Sequence, residues 1–105
     1  MILAAAFSAC GSEKELEREA EDFDNIKQAY IEIITRYLDD GDASLVIEVQ
    51  SQQETAGWQG EAPILYYAGG GPGLPIPACT GAGQSYIVAL ILDDNDVVMP
   101  SITVH

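Results

Sequence analysis

Apolar residues recur along this chain with two different periods. From Leu16 onward they return at alternating intervals of three and four, through Phe23, Ile26, Tyr30, Ile33 and Tyr37, with one gap after Leu16. That spacing draws a single stripe down an α-helix, and the two tyrosines belong to its packing face. Ser12 with Glu15 three positions on is a capping-box pattern. No Pro or Gly intervenes before Gly41, a residue suited to the left-handed C-cap. One long helix is predicted from Ser12 to that cap.

Beyond Gly41 the period falls to two. Leu45, Ile47 and Val49 alternate with Glu48 and Gln50, which predicts a half-buried strand over residues 45–50. Further strands are predicted over residues 64–67, 86–92 and 97–104. The third is apolar on both faces, as a central, covered strand would be. Pro100 lacks an amide donor, so the fourth belongs at an edge or carries a bulge there. Residues 93–96, Asp-Asp-Asn-Asp, have hairpin-turn chemistry. The expected fold class is α+β: one long N-terminal helix packed on a four-stranded, mostly antiparallel sheet. With the strands antiparallel in turn, the helix end, residues 69–83 and His105 share one end of the sheet. The 93–96 turn and the connector bearing Trp58 share the other, where Trp58 covers the core or meets a membrane interface.

Composition bounds the picture. The 105 residues are 48% hydrophobic, enough for one domain with a small core. A net charge of −13 opposes binding to nucleic acid and favours cations or basic proteins. All four basic residues, Lys14, Arg18, Lys27 and Arg36, precede Ala43, together with eleven of the acids. In the early helix the i,i+4 partners are mostly alike: Glu13–Glu17–Glu21, Glu15–Glu19, Lys14–Arg18. Such pairs destabilise by a few tenths of a kcal/mol each, while Arg18–Asp22 and Glu32–Arg36 oppose that. Residues 10–22 are therefore expected to form a marginal charged stalk, and residues 23–105 the folded domain. Asp39 and Asp40 lie at the helix C-terminus, against its dipole.

Residues 4–12, Ala-Ala-Ala-Phe-Ser-Ala-Cys-Gly-Ser, resemble the lipobox that ends a bacterial lipoprotein signal peptide. The resemblance implies that residues 1–9 are signal-like, that Ser8 and Ala9 fit the signal peptidase, and that Cys10 is the lipid-attachment residue. Phe7 stands where the family prefers Leu, and the basic residues of a signal would have to come from a longer N-terminus. The family further implies a lipid-anchored envelope protein. Gly11 and Ser12 imply sorting to the outer membrane, facing the periplasm or the surface. Residues 1–9 fall far short of the roughly 20 apolar residues of a membrane span. A Cys10–Cys79 disulfide is the rival use of this thiol.

Residues 69–83 are rich in Gly and Pro, and their Gly71, Pro72, Leu74, Pro75, Ile76 and Pro77 are the candidate partner-binding element. Leu74 and Ile76 between prolines suit an extended, pre-ordered edge, or else tuck onto the core. Thr80-Gly-Ala-Gly83 lacks a phosphate loop's lysine and leads into a strand. Residues 39–42 and 93–96 look like paired calcium-ligand sets but match no calcium-loop spacing, and read as solvated turns. Catalysis is not expected, because the one histidine is the last residue; Glu48 with Glu61 is the remaining carboxylate pair for hydrolysis. No cation lies near Cys79 in the sequence to activate its thiol, and no cofactor or metal is implied.

The expected function is that of a small acidic envelope lipoprotein that binds another protein, in the manner of an inhibitor or immunity protein towards a basic enzyme. The alternative is a small-ligand-binding domain. Residues 30–42, Tyr-Ile-Glu-Ile-Ile-Thr-Arg-Tyr-Leu-Asp-Asp-Gly-Asp, resemble the first helix of the nuclear-transport-factor-2-like superfamily, although a strand follows where that family has another helix. A pilin-like subunit would need an apolar first helix half, and here that half is the most charged.

Overall fold

The computed structural model describes residues 2–66 and 73–105, with side chains from residue 13 onward. Helix α1 runs from Ile2 to Asp40, followed by strands β1 (Ile47–Gln50), β2 (Ile64–Leu65), β3 (Leu74–Pro75), β4 (Ser85–Leu92) and β5 (Val98–Val104). The fold is α+β, but the expected single four-stranded sheet is not formed. Instead β1, β4 and β5 make one antiparallel sheet in the order β1-β4-β5, and β2 pairs separately with β3. The Leu74–Pro75 segment captured Ile64–Leu65 from the main sheet. Gly73 permits this: its φ is +87°, and a Cβ there would lie 2.6 Å from the Ile64 side chain. Tyr67, the last residue of the expected second strand, lies outside the described residues.

Helix α1 starts well before Ser12, which therefore does not cap it. Its other end follows expectation: Gly41 has φ +72°, and its amide donates to the Tyr37 carbonyl over 2.7 Å. The stripe packs as the periodicity requires. Ile26, Tyr30 and Ile33 are buried, with Phe23 and Tyr37 partly buried beside them. They meet Val49 of β1, Tyr86, Val88 and Leu90 of β4, and Ile102 of β5. Burying each such aliphatic side chain contributes about 1.5–3 kcal/mol.

β4 is central, and β5 is an edge that accommodates Pro100 opposite Leu90. The second face of β4 is less covered than its apolar pattern implies. Ile87 and Ala89 are half-buried, and Ile91 is exposed.

Strand directions correct the expected layout. β2 leaves the sheet, so the chain reaches β4 through a crossover, and β4 runs the opposite way along the domain from the direction inferred. Ser85 pairs with Gln50 and exchanges backbone hydrogen bonds with His105. His105 and the connector after Gln50 thus share one end. The 93–96 turn lies at the other end with residues 39–42, not opposite them. That turn closes through Asp93, whose amide donates to the Val97 carbonyl and whose carboxylate accepts from the Asn95 and Val97 amides.

Although α1 is long, no described helix is apolar enough over a sufficient length to cross a membrane.

Candidate functional site

The charged turns of α1 are not free of the domain. Glu15, Glu19 and Asp22 follow one another at intervals of four and three, and all three are buried. Each clasps the connector between β1 and β2. Glu15 accepts from the Thr55 hydroxyl (2.7 Å) and from the amides of Thr55 (3.2 Å) and Glu54 (3.4 Å). Glu19 accepts from the amides of Gln59 (2.6 Å) and Gly60 (3.2 Å). Asp22 accepts from the Ser51 hydroxyl (2.6 Å) and the Gln52 amide (2.7 Å). The expected repulsion between Glu15 and Glu19 is offset by these donors, since a carboxylate given several N–H groups keeps its charge at low cost. Burial alone would raise the Glu15 carboxyl, but the bonds from Thr55, Glu54 and Arg18 outweigh it and hold the pKa below its ordinary value.

The basic partners also differ from the expected pairs. Arg18 bridges Glu15 and Glu54, each at 3.2 Å, rather than Asp22. Arg36 lies 3.9 Å from both Asp40 and Asp42, and so offsets the acids at the helix C-terminus.

Inward of the carboxylates lies a buried polar chain. The Gln53 Oε1 accepts from the Tyr86 hydroxyl (2.7 Å) and the Cys79 thiol (3.3 Å). Trp58 stacks on Tyr86 with ring centroids 6.2 Å apart and donates its indole N–H to the Ile76 carbonyl over 3.1 Å. Trp58 therefore closes one end of the core. Cys79 is a free, buried thiol, not half of a disulfide. Among the described residues, no buried side-chain polar atom lacks a hydrogen-bond partner.

With the connector pinned this way, the segment after it stands off the helix and leaves a groove. Its wider part, about 700 Å³, lies between Phe23, Lys27, Tyr30 and Ile31 of α1 and residues 61–66. A narrower part of about 230 Å³ continues towards Leu16 and Trp58, and the two share Phe23, Glu61 and Pro63. The floor is apolar and open to solvent: Leu16 is 43% exposed, Ile31 44% and Tyr66 66%.

The sequence candidates are scattered relative to this groove. Ile76 is buried and its amide donates to the Pro63 carbonyl, Leu74 and Pro77 are half-buried, and Pro75 is exposed. Of the proposed partner-binding edge, Leu74 and Ile76 are thus committed to the core; Gly71 and Pro72 lie outside the described residues. Cys10 lies within α1, and its side chain is outside the described ones. Glu48 points from the sheet face opposite α1, whereas Glu61 lines the groove, so the two carboxylates are not a pair. The Asp42 carboxylate accepts from the Ser44 amide and hydroxyl. Among the described residues, no three His, Cys, Asp or Glu side chains gather as a metal ion would require.

Compared with known protein families, curated proteins and solved structures, the chain matches none of them.

Proposed function

We propose that this chain is a protein-binding module of a bacterial cell envelope, held at a membrane by lipid on Cys10. The observation that carries the binding role is the open apolar groove between α1 and residues 58–66. Apolar side chains left in a concave, solvent-facing strip are a feature of interaction sites. The lipobox-like residues 4–12 support the address.

The two halves of the reading are geometrically compatible. Along a helix rising 1.5 Å per residue, Leu16 stands about 9 Å beyond Cys10, so the groove opens close to the anchor. The other end of α1 is about 45 Å away by the same rise and carries Asp39 and Asp40, with Asp42 and the 93–96 acids beside them.

A second reading places a small apolar ligand in the groove, because about 700 Å³ falls within the range of ligand pockets. One experiment separates the two. A photo-reactive benzoylphenylalanine at position 31 is activated in membranes of the natural host, and the products are examined by mass spectrometry. A discrete protein adduct together with acyl mass on Cys10 is the expected result. Adducts to small lipophiles alone support the second reading. Recovery of mature protein with residues 1–9 attached and no acyl mass overturns the envelope anchor.

A further inference from the structure

We propose that the occupant of this groove is a basic amphipathic helix of another protein, a proposal that rests on the binding role above and names its partner's chemistry. At about 100° per residue, Glu13, Glu17 and Asp24 fall on the solvent-side flank of the α1 face that carries Leu16, Phe23 and Ile31. All three acids are exposed. Glu61 stands on the opposite wall, and Lys27 is the one basic residue lining the groove. The site is an apolar trough with a predominantly acidic rim. Its complement is a segment with an apolar stripe flanked by Lys or Arg.

Length and charge narrow the occupant further. From Leu16 to Ile31 the trough follows α1 for about 22 Å, the length of roughly four helical turns. A straight helical wall of that length suits a second helix laid alongside it. A second copy of this chain would bring another charge of −13 to an already acidic rim and is repelled. An uncharged apolar ligand would leave Glu13, Glu17 and Asp24 unmatched.

The test uses the full chain and three fluorescein-labelled peptides of 18 residues followed by fluorescence anisotropy. One is an amphipathic Leu/Lys helix, one its scrambled isomer of equal charge, and one the Leu/Glu counterpart. The amphipathic Leu/Lys peptide is expected to bind at least about tenfold more tightly than the scrambled isomer, with an affinity that falls as salt rises. Ile31→Glu and Tyr66→Ser, both at exposed positions, each weaken it by about tenfold, whereas Thr103→Glu on the far sheet face does not. The double substitution Glu17→Lys/Asp24→Lys weakens it and flattens the salt dependence. Far-UV circular dichroism checks that each variant keeps its helix. Equal binding of both Leu/Lys isomers, or indifference to Ile31→Glu and Tyr66→Ser alike, reduces the effect to bulk charge and overturns the proposal. So does sedimentation showing a dimer that Ile31→Glu dissolves. A protein adduct in host membranes combined with failure of the peptide would leave the binding role intact and discard only the basic helix.

Discussion

The Glu15 carboxylate and the Thr55 hydroxyl, forty residues apart in sequence, meet at 2.7 Å. This bond ties the charged start of the helix to the connector between β1 and β2. With Glu19 and Asp22 doing the same one and two turns on, the helix holds a loop through carboxyl side chains where an apolar stripe would be the common solution. The groove exists because the loop is held there.

Glu15→Ala is expected to destabilise the domain by about 2 kcal/mol, since the donors of Thr55 and Glu54 lose their acceptor in a half-buried site. Glu15→Gln keeps an acceptor oxygen and loses less. Urea unfolding followed by circular dichroism measures both, and equal stability of Glu15→Ala and wild type would refute the clasp.

The same bond sets a pH dependence. The folded-state pKa of Glu15 lies below its ordinary 4.5, so its contribution is complete above that value. It is lost as pH falls through the lower folded value, where protonation removes the acceptor. The amides of Glu54 and Thr55 should therefore shift together by NMR below about pH 4.5, with the Ile33 amide unmoved until global unfolding. A transition of these two amides above pH 5 would contradict the sign.

How much of this could be read in the sequence depends on which side chains do the packing. Ile26, Tyr30 and Ile33 are apolar and periodic, so the docked helix face was legible. Glu15, Glu19 and Asp22 share that periodicity, but their partners are mostly backbone amides, which leave no trace in residue type; the same letters therefore suggest repulsion. Leu74 and Pro75 hid as a strand because proline is a poor strand former. Once they pair with Ile64 and Leu65, the direction of every later strand relative to the helix reverses. Alternation tells which face a strand buries, not which strand lies beside it. Leu16 and Phe23 of the groove were visible as core residues. Their partial exposure depends on where residues 60–66 come to rest, which is tertiary.

The buried chain around Gln53 predicts a silent thiol and a silent phenol. Cys79 is 2% exposed and should react with a thiol reagent such as dithiobisnitrobenzoate only at the rate of unfolding. Burial, with the neighbouring Cys79 and Asp22, pushes the Tyr86 hydroxyl far above its ordinary 10.0. Its contribution is therefore complete below that pH and lost as pH rises beyond it. In absorbance titration of the folded protein, a late phenol phase should appear that Tyr86→Phe removes. That variant also leaves Gln53 short of its best donor and should cost about 1 kcal/mol.

Gly73→Ala tests whether the β2–β3 pair shapes the groove. At φ +87°, and with a Cβ 2.6 Å from Ile64 and 3.1 Å from Tyr66, alanine forces β2 away from β3. Ile64, Leu65 and Tyr66 form part of the groove wall, so the substitution acts on the site through the backbone without removing a side chain that lines it. A loss of about 1–3 kcal/mol is expected for the strain. The sheet β1-β4-β5 shares no strand with this pair, so its amides should keep their protection while that of Ile76, which donates to the Pro63 carbonyl, exchanges faster. Hydrogen exchange read by mass spectrometry distinguishes this from general destabilisation. Uniform acceleration across β4 would mean that the pair supports the whole core, and unchanged exchange at Ile76 would mean that the close approach at Gly73 is not what holds it.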